Sequence, residues 1–321
     1  MNIHQGFFFP FLIILGGLLL PSCALDKIAT RALADTLSAP GSNTVFTGDD
    51  DPQLVGDSLP FTIKMYESIL ASQPDHRPLR TTVGSLYVMY ANAFVATPAQ
   101  FLPEENFEEK DRAKIRAKNL YLRAGNILKL GLSQVNPQFE ASFSGHEGAL
   151  SFERLLDTYK KEDVSTLYWY AAAWLSAASL DVLDGTLSLR IPQVKAMVDR
   201  AFALDPDWQG GALHSFLMIY YSSMPEMLGG SAQKALFHYD ALLRLGKGAS
   251  ADAWMARAET WALPRQDKTG FVDFMNKILS LDPQSNKDQT LVTVLAQNKA
   301  KYYLKNLELL FWSDVILEGN E

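Results

Sequence analysis

Four apolar, helix-periodic segments of this chain end in the same way. They are Ile69-Leu70-Ala71-Ser72-Gln73-Pro74, Leu132-Ser133-Gln134-Val135-Asn136-Pro137, Phe202-Ala203-Leu204-Asp205-Pro206 and Leu279-Ser280-Leu281-Asp282-Pro283. A proline just past a helix cannot continue it, and its fixed φ sets the turn into the next one. The four prolines stand 63, 69 and 77 residues apart, near the spacing of two tetratricopeptide units of about 34 residues each. Val83-Gly84-x-x-Tyr87 matches the apolar-Gly-x-x-Tyr part of that signature, although no unit carries all of it. The pattern predicts an all-α fold of tetratricopeptide-like helical hairpins stacked into a compact solenoid or bundle. The competing reading is an irregular bundle whose helices end in proline.

Helical periodicity runs almost without interruption through the rest of the chain. Leu25, Ile28, Ala29, Ala32, Leu33 and Leu37 mark a first amphipathic helix, and residues 39–51 read as a polar loop. Asp51-Pro52 reads as N-cap and first helical position. The helices expected beyond it are 53–73, 78–97, 107–132, 147–160, 163–184, 191–204, 209–222, 231–246, 250–262, 267–281 and 288–316. No Asn-Gly or Asp-Gly hairpin signal lies between alternating strands, and Asp184-Gly185 reads as a helix stop.

The only cysteine, Cys23, follows a leader of fourteen mostly apolar residues, Phe7 to Leu20. That run is shorter than the roughly 20 residues a membrane-spanning helix needs and has the length of a signal-peptide core. Leu20-Pro21-Ser22-Cys23 then places a thiol where it can take a diacylglyceryl group and become the first mature residue. The expectation is a lipoprotein signal peptide at 1–22 and one all-helical domain at 23–321, held on the membrane by its lipid alone. Met1–Gly6 carries no Lys or Arg, and Ser22-Cys23-Ala24 also offers small residues for ordinary signal cleavage. Plain secretion is therefore the alternative. A single cysteine excludes disulfides within the chain and Cys-based metal sites.

The chain is 48% hydrophobic and 20% charged, which suits a folded protein. Residues 1–22 hold no Asp, Glu, Lys or Arg, so the net charge of −7 belongs to the rest. No basic stripe points to nucleic acid. His146-Glu147 opens like the zinc motif His-Glu-x-x-His, but Leu150 stands where the second histidine belongs. Gly229-Gly230 leads into a helix at Ser231, as a turn before an N-cap does. Asp49, Asp50 and Asp51 are adjacent, whereas calcium loops space their ligands at alternate positions, so capping explains them better. No nucleophile elbow, phosphate loop or dinucleotide fingerprint appears. No metal, cofactor or catalytic residue is expected, and an envelope hydrolase is disfavoured.

Two stretches stand out as candidate ligand or partner surfaces. Tyr168-Trp169-Tyr170-Ala171-Ala172-Ala173-Trp174 is the densest aromatic cluster. Tyr170 and Trp174 share a helix face there, and the alanines allow close helix approach. The second runs from His214 through Tyr220 and Tyr221 to Met224 and Met227. Packing explains much of the first, and a buried, hydrogen-bonded role suits His214. The remaining Tyr and Met side chains have the soft, amphipathic character of adaptable binding surfaces. Both stretches are expected to line one cavity or groove.

Several segments together resemble the TRAP transporter T-component family. They are Thr47-Gly48-Asp49-Asp50-Asp51-Pro52-x-Leu54, Leu59-Pro60-Phe61 with Tyr66-Glu67, and Tyr168-Trp169 with Ala171-Ala172-Ala173-Trp174. The run from His214 through Pro225, Leu228-Gly229-Gly230 and Lys234-Ala235-x-x-His238-Tyr239 fits too, as does Asn298-Lys299-Ala300 through Leu309-Leu310-Phe311. The resemblance implies a periplasmic, non-enzymatic lipoprotein subunit, anchored to the inner or outer membrane and forming a homotrimer. It would dock the substrate-binding P component of a tripartite ATP-independent uptake system and could pass a hydrophobic or organic-acid ligand. A general tetratricopeptide-type scaffold for envelope assembly is the other function such a fold serves.

Overall fold

A computed structural model of the chain describes residues 22–145 and 149–312. The leader, the His146-Glu147 pair and the last nine residues lie outside them. Every regular element among the described residues is helical. The principal helices are α1 (Ser22–Leu37), α2 (Pro52–Ser72), α3 (Arg77–Ala91), α4 (Phe107–Val135), α5 (Val164–Leu180) and α6 (Ile191–Leu204). They continue with α7 (Trp208–Ser223), α8 (Ala232–Leu245), α9 (Ala251–Arg257), α10 (Lys268–Leu279) and α11 (Thr290–Lys305). None is long and apolar enough to cross a membrane.

The helix starts follow their sequences. Asp51 Oδ1 accepts from the Gln53 and Leu54 amides at 3.0 and 3.1 Å, with Pro52 in the first turn where no amide partner is needed. Ser231, Ser250 and Asp267 cap α8, α9 and α10 in the same manner. Pro74, Pro137, Pro206 and Pro283 each lie just beyond a helix end, as the repeat predicted.

Neighbours in sequence pack as neighbours in space from α2 to α6; α7 pairs with α8, and α10 with α11. One large core runs from Ala34 on α1 to Tyr221 on α7 and takes in Leu291 of α11. A second gathers Trp254, Phe271, Met275, Ile278 and Tyr303, with Met218, Leu242, Ala253 and Ala256 packed between α7, α8 and α9. The two ends of the array meet. Gln284 Nε2 donates to Asp50 Oδ2 at 3.2 Å, and the Phe101 and Tyr302 rings lie 4.3 Å apart. The acidic triplet is thereby accounted for: Asp49 accepts from the Asp51 amide, Asp51 caps α2, and Asp50 joins the distant C-terminal segment.

Several expectations need correction, among them the helix over 288–316, which ends at Lys305 and is followed by the short helix Leu307–Leu310. The 39–51 loop contains a short helix, Thr44–Thr47, which packs on α11. Helix 78–97 ends at Ala91 and widens into a π turn, Asn92–Ala96, before the short helix Thr97–Gln100. Helix 250–262 does the same, with a π turn at Ala258–Ala262 after α9. Both π turns stop two residues short of a proline, Pro98 and Pro264, which cannot donate to the carbonyl four residues back. The two turns share the pattern Ala-x-Pro-x-Gln, at Ala96–Gln100 and Ala262–Gln266. Asp184-Gly185 is a start and not a stop. Asp184 Oδ1 accepts from the Thr186 and Leu187 amides at the head of Gly185–Ser188, after α5 has already ended at Leu180.

Candidate binding site

Helix α5 divides its aromatic side chains between two faces. Its buried alanines, Ala171, Ala173, Ala177 and Ala178, bring the neighbouring helices close. On one face Tyr170 is buried with its ring edge-on to Phe139 and Phe143 at 5.4 and 5.3 Å. Trp174 meets Phe143 at 4.8 Å, and its indole N–H donates to the Leu187 carbonyl at 3.1 Å, tying the 185–188 helix down. A cavity of about 60 Å³ beside them is bounded also by Tyr121, Gly125 and Asn126. That volume holds a few waters and is far below the roughly 300–1,000 Å³ of small-molecule pockets. It receives nothing from the His214–Met227 stretch.

The other face carries Tyr168 and Trp169, whose rings meet at 5.0 Å. Tyr168 also touches Trp208 at 4.8 Å and Phe216 at 6.3 Å, so it is here that the two sequence stretches come together. Trp208 is placed by an abrupt backbone turn. Gln209, Gly210 and Gly211 all have positive φ, at 46°, 66° and 103°, before the regular part of α7 begins. A Cβ at Gly211 would lie 2.9 Å from Leu245 Cδ1, so this position needs glycine for space as well as for its φ.

Further along α7, His214 is buried and pairs with His238 of α8 through their Nδ1 atoms, 2.9 Å apart. Phe202 lies edge-on to both imidazoles, and Tyr221 stacks on His238 at 5.7 Å and 11°. Lys195 and Lys234 sit over the Tyr221 ring at 4.9 and 5.1 Å. Tyr220 donates to the Leu228 carbonyl at 3.4 Å, closing the turn after α7. Met224 packs against the core, while Met227 is 90% exposed. Trp208 and the role of His238 are not legible in the sequence. Single residues on separate helices carry no local signal of the neighbours they will meet.

The family model of the TRAP transporter T-component matches residues 48–311, a span holding every one of these side chains. The chain belongs to that family. It is also 34% identical over 307 residues to an uncharacterized protein of Treponema pallidum (strain Nichols), with 92% of this chain and 94% of that protein covered.

The histidine pair gives this T-component a pH-dependent contact between α7 and α8. With one Nδ1 donating and the other accepting, the bond needs at least one neutral ring. Burial, then the other imidazole, Lys195 and Lys234, push the His238 pKa down to about 4. Burial and Arg244 lower His214 as well, against the opposing pull of Asp207, whose carboxylate lies 3.8 Å from Nε2. A folded pKa below the unfolded value means that stability is present above about pH 6.5 and is lost as the pH falls toward 4. Acidification across that window is expected to remove up to about 3 kcal/mol through His238. Melting curves between pH 7 and 4 should therefore be flatter for His214→Gln/His238→Gln than for the unmodified protein. Equal slopes would show that the pair does not titrate with unfolding.

Proposed function

We propose that this T-component is a lipid-anchored, non-enzymatic subunit of a tripartite ATP-independent uptake system, working on the periplasmic side of the envelope. In this reading it docks the substrate-binding P component and assembles as a homotrimer, with its helix pairs stacked as tetratricopeptide-like units. The single observation that carries the reading is the family match across residues 48–311, which takes in α2 through α11. The anchor rests on the sequence. Cys23 is the only cysteine and closes an apolar leader, while α1, starting at Ser22, leaves little tether between lipid and body. Two or more acyl chains at about 0.8 kcal/mol per buried CH₂ hold a body of this kind on a bilayer, which its net charge of −7 would not do.

Affinity capture from the native membrane tests both halves. The unmodified protein is expected to fractionate with membranes and to retain a TRAP substrate-binding protein, identified by mass spectrometry. Cys23→Ser is expected to lose fatty-acid labelling and move to the soluble fraction. A Cys23→Ser protein that still labels would end the lipidation reading. Captured membranes that repeatedly yield outer-membrane or pilus assembly factors, and no TRAP subunit, would favour the scaffold function instead.

A further inference from the structure

The apolar positions that mark α1 in the sequence are not the ones it buries. Among its described side chains only Ala34 is fully buried, with Thr30 and Leu37 half-buried beside it. Ile28 is 66% exposed and Leu33 47%, and Ala29 and Ala32 are exposed with them. At 3.6 residues per turn these four fall on an arc centred roughly opposite Ala34. The arc from Ile28 to Leu33 holds no charged residue. The pose of the helix is set by the fold: α1 packs on α2 and α3. Gln73 Nε2 donates to the Lys27 carbonyl at 3.0 Å, and His76 Nε2 meets Asp35 Oδ1 at 2.8 Å.

Scattered exposed apolar residues are ordinary. A continuous apolar face on a helix already fixed to its body is not, and it marks a surface that something covers. Cys23 stands in the first turn of the same helix, five residues before Ile28. That is about 7.5 Å along the axis, so lipid on Cys23 brings the bilayer surface to this face. Standing upright, α1 would lift Leu33 about 15 Å from Cys23 and leave its apolar arc in water. Lying flat, it sets all four side chains at the interface, with the Ala34 side and the body outward. Removing apolar surface from water favours the second arrangement.

We propose that the exposed face of α1 lies in the headgroup layer of the bilayer that holds Cys23, so that the helix fixes the orientation of the body as well as its distance. A second copy or a partner protein would have to displace a lipid surface tethered within two turns of the face, at high effective concentration. The proposal rests on the lipid-anchored reading above and adds to it the surface that meets the lipid. An acyl tether by itself leaves the body free to tumble over the membrane, whereas a helix laid in the interface does not.

Because Cys23 is the only cysteine, its thiol can be coupled selectively to a maleimide-bearing lipid in phosphatidylcholine vesicles. The chain from Cys23 to Glu321, which holds every described residue but Ser22, is used. Coupling supplies the anchor whether or not the cell acylates Cys23, so the face is tested separately from the acylation, which fatty-acid labelling reads. Ile28→Trp and Lys27→Trp, the second on the Ala34 side of the helix, are compared with the unmodified chain on plain and on dibrominated acyl chains. The emission added by Ile28→Trp should shift to the blue on coupling and be mostly lost on dibrominated lipid. That added by Lys27→Trp should keep its wavelength and intensity. Loss at neither position would leave the face to a protein partner and overturn the proposal, and equal loss at both would show that α1 has no membrane-facing side. A blue shift of Ile28→Trp that grows with protein concentration without vesicles would assign the face to a second copy and overturn it too. Circular dichroism checks the fold, and Leu33→Trp takes the place of Ile28→Trp if that variant fails to fold.

Discussion

Replacing Phe139 by alanine is expected to lower the unfolding free energy by about 4 kcal/mol. Its ring is fully buried and lies within 6.2 Å of four other rings, those of Phe143, Phe152, Tyr159 and Tyr170. Three different links of the chain meet there: α5, the Phe139–Ser144 helix and the Ala149–Leu156 helix. Removing the ring loses its transfer free energy, leaves a cavity whose walls are themselves rigid aromatics, and breaks the edge-to-face contact with Tyr170. Urea unfolding followed by circular dichroism measures the loss. A change below about 1 kcal/mol would mean that this cluster collapses without penalty and is not the organising core.

The second large effect concerns Gly84, the glycine of Val83-Gly84-x-x-Tyr87. A Cβ built there would lie 2.4 Å from Leu128 Cγ and 2.6 Å from Cδ2, so α3 and α4 touch through a missing side chain. Leu128 is fully buried. Alanine at this position would gain up to about 1 kcal/mol of helix propensity and lose more to overpacking. Gly84→Val is expected to destabilise by about 3 kcal/mol, and Leu128→Ala by 2–5 kcal/mol through its cavity. The combined variant should cost well below the sum, with a coupling of about 2 kcal/mol, because each change fills or empties the same volume. Additive losses in a denaturation cycle would refute the close-approach explanation.

The aromatic run at 168–174 shows where sequence reasoning stopped. Its spacing puts Tyr170 and Trp174 on one helix face, and they do share one cluster with Phe143. Their neighbours in sequence, Tyr168 and Trp169, turn to the α7 side instead. The run therefore meets two environments, on different sides of α5. One is a packed aromatic knot with a small void. The other is the contact of Tyr168 with Trp208 and Phe216, rings that stand forty or more residues further on. His214 was expected to be buried and hydrogen-bonded, which it is, but its partner is a second histidine. Nothing local to His214 announces His238, since the two lie on helices joined by the Met224–Ser231 turn.

By itself the sequence determined the helical character, most helix limits and the caps, because these depend on neighbours within a turn or two. Apolar spacing of 3.6, Asp51-Pro52 at a start and proline beyond an end are short-range physics. It also carried the family, because many modest motifs stood in the right order over nearly the whole chain. Only the tertiary structure decided the rest. It set the two π turns before Pro98 and Pro264, the contact of Asp50 with Gln284, the His214–His238 pair and the meeting of Tyr168 with Trp208. Each of these depends on which helix faces which. That choice follows from packing close side chains, such as Leu128 against a bare Gly84, across long stretches of chain that no local pattern records.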